Sequence, residues 1–336
     1  MPYRVGKYTV KTENRPSVIG YGSVVGKKES DGPLGKEFDN TYPDSRFGEK
    51  TFEKAESRLQ KIACETAFYK CGICENDVDM IFAGDLLNQC IGSSFGLRSM
   101  GIPFIGLYGA CSTMALGLSL AALSVDSGIA DIAVAVTSSH FCSAERQYRF
   151  PLEYGSQRTP TAQWTTTGSG ASVIKKSENK PYIAHVTFGR IEDLGITDTN
   201  NMGAAMAPSA ASTLTAFLSD TGTDINDYDA FFTGDLGFVG SKLLYELMDR
   251  EGVDIRNKHR DCGLMIFDRK GQDVHAGASG CGCSASVLNS YVFHRFEDNT
   301  FKNILFMSTG ALLSPTSALQ GESIPGVSHL VNIKNY

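Results

Sequence analysis

Long apolar runs are missing from this 336-residue chain: no stretch reaches about 18 uninterrupted apolar residues, the least a membrane-spanning helix needs. A basic block is missing too. With Lys+Arg at 31 against Asp+Glu at 37, the formal net charge is -6, which argues against broad nucleic-acid binding through phosphate neutralisation. Met1 to Val10 is charged and has no apolar core, so no secretory leader is expected there. Tryptophan occurs once, at position 164, and core packing accounts for it. A disulfide framework is absent, although cysteine is not. The nine cysteines are odd in number and scattered, as suits a reducing cytosol. Cys71-Gly-Ile-Cys74 has no second CxxC and no neighbouring His to complete a zinc site, so it reads as a helix end carrying two thiols. The six His show no metal-site spacing. What remains, 42% hydrophobic and 20% charged residues, is ordinary globular composition.

An internal repeat organises the chain. Asn76-Asp77-Val78-Asp79-Met80-Ile81-Phe82-Ala83-Gly84-Asp85-Leu86 matches the segment from Asn226 to Leu236, identical at seven of eleven positions with an offset of 150. Cys111-Ser112 matches Cys283-Ser284 at an offset of 172, and Ile132 to Thr137 matches Ile304 to Thr309 at the same offset. Three matches in one order imply a duplicated fold. The halves are taken as 1–175 and 176–336, with Cys111 and Cys283 expected at equivalent helix starts.

Local patterns agree. Phe52, Ala55, Leu59, Ile62, Ala63 and Ala67 form a helical stripe within Thr51 to Tyr69. Met80 to Ala83 reads as a buried strand, as does Ala230 to Thr233 after a helical stretch from about Ala204 to Leu218. Pro103 to Leu107 and Ile132 to Val136 read as further strands, and Met114 to Val125 as a helix apolar nearly all round. Strands alternating with helices predict parallel sheets covered on both faces.

Cys111 falls between a buried strand and a buried helix. There a thiol is expected to face the helix N-terminus and have its pKa lowered, as nucleophilic cysteines of acyl transfer do. A small buried core residue is the competing account.

Gly109-Ala110-Cys111-Ser112-Thr113 followed by an apolar helix resembles the nucleophile turn of the thiolase and ketoacyl-synthase superfamily. Thr167 to Ile174 is similar to the small-residue strand closing its first half, and Gly277-Ala278-Ser279-Gly280 to the glycine turn of its second. The resemblance implies an α/β fold of thiolase-like type, a duplicated five-layered αβαβα arrangement of two similar halves. Within the superfamily, six segments resemble the stage V sporulation protein AD family: Asp31 to Gly35, Ala83 to Gln89, Thr137-Ser138-Ser139-His140, Ala144 to Gln147, Asp193 to Asp198 and Gly310 to Pro315. The likeness runs from about Val18 to His329. It implies a sporulation protein that binds dipicolinic acid (pyridine-2,6-dicarboxylate), with calcium as the ligand's companion ion and with no cofactor. It also implies membrane subunits of the same operon as partners, a peripheral place at the spore inner membrane, and a homodimer.

Acyl-condensing relatives need a nucleophilic Cys with two second-half partners, His with His or Asn, or His with a second Cys. Here the strand end that carries the first His is Thr233-Gly234-Asp235, and an ionised carboxylate only accepts hydrogen bonds. His275 lies one residue too near the Gly-Ala-Ser-Gly turn, and the match of Cys283 to Cys111 follows from duplication. The set is incomplete, so binding without catalysis is expected, with an acyltransferase using Cys111 as the alternative. Candidate ligand contacts are Cys111, Asp85, Ser138, Ser139, His140, Arg146, Asp235 and Cys283. Arg146 and Arg149 are candidates for a bidentate carboxylate grip, and Asp85 or Asp235 for a calcium effect.

Overall fold

The structure, a computed structural model, describes residues 1–148, 158–178 and 180–335. The first half runs β1 (Pro16–Val25), α1 (Phe52–Cys71), β2 (Met80–Gly84), β3 (Phe104–Gly106), α2 (Thr113–Asp126), β4 (Ile132–Ser139), α3 (Phe141–Tyr148), β5 (Trp164–Thr165) and β6 (Gly168–Lys176). The second runs β7 (Tyr182–Thr187), α4 (Met202–Thr221), β8 (Ala230–Thr233), α5 (Gly237–Arg250), β9 (His259–Asp261), β10 (Ala278–Ser279), α6 (Cys281–Val287), β11 (Asn303–Ala311) and β12 (Gly326–Lys334). Side-by-side order is β1-β6-β4-β2-β3 in one half and β7-β12-β11-β8-β9 in the other. The duplication read from the sequence is therefore a repeat of topology, and the halves meet where Ser17 of β1 pairs with Tyr182 of β7.

The identities in the repeat have local jobs. Asp79 accepts the amides of Asp131 and Ile132, and Asp229 those of Lys302 and Asn303, so each fastens the foot of the neighbouring parallel strand. Asp77 and Asp227 each accept the backbone N–H three residues upstream, closing the turn that leads into β2 and β8.

The sheets are mixed, where the sequence predicts parallel ones. β2, β3 and β4 are parallel, but β6 runs antiparallel to both β4 and β1, and β12 antiparallel to both β11 and β7. A parallel neighbour needs a long crossover back to the starting edge of the sheet. No helix of that kind packs between β11 and β12; the chain turns at the end where β11 stops and goes back.

Five layers result. α1 covers β1, β6 and β4 from outside, α4 covers β12 and β11, and α2 and α6 lie between the sheets. α1 starts at a Thr51 cap and stops at Gly72, left-handed at φ 71. It lies so close on β1 that a Cβ at Gly22 would stand 2.5 Å from the Ala63 carbonyl oxygen. Ten of the fourteen residues of α2 are buried, which its lack of a polar face foretells.

Candidate functional site

The turn carrying Cys111 is built by its own neighbours. Ala110 is held left-handed at φ 48, a strained position for a residue with a Cβ. Ser112 Oγ donates to the Gly109 carbonyl at 2.6 Å and Thr113 Oγ1 to the Ala110 carbonyl at 2.7 Å, so the two hydroxyls lace the turn shut. Gly310 of β11 backs it: a Cβ there would meet the Gly109 oxygen at 2.4 Å.

The thiol faces the second half. Cys111 Sγ lies 3.9 Å from Ser279 Oγ, and Ser279 Oγ donates to Asp235 Oδ2 at 3.2 Å. Asp235 also accepts from the Gly280 amide at 2.8 Å and from Thr309 Oγ1 at 2.9 Å. Burial holds the Asp235 carboxyl at about 7, although these donors and the Cys111 thiol pull it down. The expectation of a lowered thiol pKa is overturned. Burial first, and then the Asp235 carboxyl, push Cys111 well above the ordinary thiol range. The helix-end amides that would favour a thiolate are already engaged: Ser112 N–H donates to Gly109, Thr113 N–H to Ala110, and Ala115 N–H to Ser308 Oγ.

Above the thiol is a cavity of about 40 Å³, walled by Leu86, Tyr108, Tyr148, Gln163, Met202, Ser279 and Leu313 among others. A single buried water needs roughly 10–15 Å³ on this measure, so a substituted pyridine does not fit as the cavity stands. Tyr148 Oη donates to the Leu86 carbonyl and lies 3.4 Å from Tyr108 Oη, closing the top. Among the described residues, the only ionisable carboxyl in the wall is Glu145, and no Lys or Arg lines it.

Of the residues singled out from sequence, Cys111 reaches this cavity and Asp235 stands behind Ser279. The structure does not bring the other described ones to its wall. Asp85 is buried beneath its own turn, accepting Leu87 N–H at 2.9 Å, Ser93 N–H at 2.7 Å and Ser93 Oγ at 2.6 Å. Ser138 donates to Glu56 and accepts from Gln60. Ser139 donates to the Thr166 carbonyl and accepts from Gly282 N–H. His140 pairs its Nε2 with the Ser45 carbonyl, and its Nδ1 accepts the Cys142 amide; burial lowers its pKa. Arg146 is exposed and paired with Glu53 at 3.1 Å, and Arg149 lies outside the described residues. Cys283 does not open its helix as Cys111 does. It is the third residue of α6, fully buried, with Sγ toward the Gly234 carbonyl at 3.6 Å. α6 begins a turn earlier relative to the repeat, which draws its thiol into the core. His275 bonds the Thr159 carbonyl and Asp273, away from Cys111.

Sequence reasoning missed Ser279 as the link between thiol and carboxyl, although it lies in the quoted glycine turn. It also misjudged Trp164. The indole is half-buried, stacked on Phe141 at 3.8 Å with 7° between planes, and open to a recess beyond the cavity wall. That it is the chain's one tryptophan was the available signal.

The family described as Stage V sporulation protein AD matches residues 6–334. The Stage V sporulation protein AD of Bacillus subtilis (strain 168) is 43% identical over 324 residues, covering 96% of each chain. Among solved structures, 3-oxoacyl-[acyl-carrier-protein] synthase III from Aquifex aeolicus is similar at a TM-score of 0.58 and 12% identity, covering 95% of this chain and 99% of that one. Cerulenin-bound OleA from Xanthomonas campestris is similar at 0.61 and 16%, covering 96% and 98%. These condensing enzymes share the thiolase-like fold.

Proposed function

The chain belongs to the stage V sporulation protein AD family, and on that premise we propose that it binds dipicolinic acid, as the calcium chelate, without transforming it. In this reading it supports uptake of calcium dipicolinate into the developing spore. The observation that carries the non-catalytic part is the pairing of Cys111 with Asp235. A condensing site needs a thiolate and a donor for the developing oxyanion. Here burial and a carboxyl raise the thiol's pKa, so the thiolate that condensation needs is disfavoured.

The alternative is acyl transfer by Cys111, favoured by one observation: the backbone is strained at Ala110, directly before the thiol. Incubation with acyl-CoA and intact-mass measurement separates the two. No adduct on Cys111 is expected, and a stable one would make the protein an acyltransferase. Calorimetric titration with dipicolinate, with and without calcium, tests the binding. Absence of binding in both would remove the ligand assignment.

The proposed setting is peripheral at the spore inner membrane, beside membrane subunits of the same operon. Among the described residues no helix is long and apolar enough to cross a membrane. A homodimer is proposed through the edge strand β3, where Phe104 and Ile105 are exposed.

A further inference from the structure

The Cys111 cavity offers an anionic ligand no cation: among the described residues no Lys or Arg lines it, and a carboxyl stands behind Ser279 in its wall. Holding a carboxylate there falls to neutral donors, and several are already spent. Gln163 gives its amide hydrogens to the carbonyls of Asp235 and Ala278, at 2.7 and 2.6 Å. Tyr148 gives its hydroxyl to the Leu86 carbonyl, and Ser279 gives its own to the Asp235 carboxyl. Of these acceptors only the carboxylate can itself take a proton, while carbonyl oxygens stay acceptors. Ser279 is therefore the donor that one proton can release.

The three donors around Asp235 differ in their freedom. The Gly280 amide, 2.8 Å from Oδ2, is fixed in the backbone. Thr309 Oγ1 accepts Asp235 N–H at 3.3 Å, which turns its single hydrogen to Oδ1 at 2.9 Å. Ser279 Oγ has no such constraint. At 3.2 Å from Oδ2 it can donate to a carboxylate or accept from a carboxylic acid. In the second state its hydrogen swings away from Asp235, to the side where Cys111 Sγ lies at 3.9 Å and the cavity opens. The charges around the carboxyl do not oppose the exchange. Asp261 adds a second acid, and Cys111, Cys262, Cys281 and Cys283 are thiols that burial keeps protonated. His259 of β9 is turned to Thr233 and Tyr245 and held neutral by burial. With the Asp235 carboxyl at about 7, a modest bias moves its proton.

We propose that Ser279 donates to a ligand carboxylate in this cavity, and that Asp235 governs it by taking up a proton as the ligand binds. This role rests on the reading of the protein as a dipicolinate binder and adds a co-bound proton to it. With Asp235 ionised, Ser279 is spent and the negative charge repels the incoming anion. With Asp235 protonated, Oδ2–H donates to Ser279 Oγ and the serine hydrogen passes to the ligand. The proton comes from solvent, and the O–H on Asp235 is the one covalent bond formed. Asp235 does not itself line the cavity, so it is a positioning residue that acts through Ser279. Entry also parts Tyr148 from the Leu86 carbonyl, since the closed cavity of about 40 Å³ holds no aromatic ring.

The intact protein is titrated calorimetrically with dipicolinate plus equimolar calcium at pH 5.5 and pH 8.5, each in two buffers of different ionisation enthalpy. The difference in heat between buffers gives the protons taken up. At pH 5.5 Asp235 is already protonated, and no uptake is expected. At pH 8.5 uptake approaching one proton is expected, with affinity falling about tenfold per pH unit above 7. Asp235→Asn should take up no proton and bind with an affinity independent of pH. Thr309→Val, which removes a donor to the carboxylate, should move the onset of uptake to higher pH. Ser279→Ala should weaken binding about tenfold at pH 5.5, the size of one lost charge-assisted hydrogen bond. The Asp235→Asn result decides alone if Ser279→Ala does not fold. Wild-type binding without proton uptake at pH 8.5, or uptake unchanged in Asp235→Asn, overturns the role of Asp235 and keeps the ligand. Full affinity of Ser279→Ala at pH 5.5 overturns the role of Ser279. Absence of binding at both pH values removes the dipicolinate reading as well.

Discussion

One hydroxyl separates Cys111 from Asp235. Ser279 Oγ lies 3.9 Å from the thiol and 3.2 Å from the carboxyl, so residues 124 positions apart share one buried polar chain. The thiol is held protonated. Its alkylation should be slow in the native protein even at mildly alkaline pH, whereas the exposed Cys74 reacts first. Peptide mass mapping after brief iodoacetamide treatment checks this, and early modification of Cys111 would contradict the electrostatic account.

The Asp235 carboxyl makes stability depend on pH with a definite sign. Its folded pKa of about 7 stands above the ordinary 3.8, so the fold favours the protonated form. Below the lower value both folded and unfolded chains hold the proton. As pH rises toward 7 only the unfolded chain ionises freely, and stability is lost. The loss is on the order of 4 kcal/mol at about 1.36 kcal/mol per unit. Asp235→Asn should remove this component. Urea unfolding of both proteins at pH 5 and pH 8 should show the variant gaining relative stability at the higher pH, and parallel behaviour would refute it.

Calcium should tighten dipicolinate binding, because the free dianion meets a protein rich in buried acids while the chelate is neutral and keeps room for further oxygen ligands. The structure changes which residue matters. Asp85 is consumed by Leu87 and Ser93, so Asp85→Asn should retain the calcium advantage in calorimetry. Asp85→Ala should instead cost about 1–3 kcal/mol of stability for each amide left without an acceptor.

Ile105→Lys on β3 should abolish self-association if the edge strand pairs with a second copy. Light scattering of the wild type and the variant at equal concentration reads the outcome. An unchanged mass would place any dimer contact elsewhere.

Most of the fold was legible because it rests on periodicity and repetition. Ala230 to Thr233 is the strand as read, and α1, α2 and α4 begin and end within a few residues of their predicted limits. The direction of β6 was not legible, since nothing in its small-residue sequence says from which end the chain enters. The site was less accessible. Cys111 could be found from its turn, but its chemistry depends on Asp235 and Ser279, brought close by tertiary packing alone. Asp85 and Asp235 are identical in the repeat and differ in role, because different loops fold over them. Trp164 looked like core for want of any local sign that Lys28, 136 residues earlier, lies over it.

The helices between the sheets serve both halves at once. α2 belongs to the first half yet packs on β11 and β12, and α6 belongs to the second yet packs on β4 and β6. Each half therefore completes its interior with a piece supplied by the other. Severing the chain near residue 175 would leave two fragments, each with one sheet face stripped of its cover and one greasy helix with nowhere to go. Neither should persist in solution alone, and recovery should require both to be synthesised together.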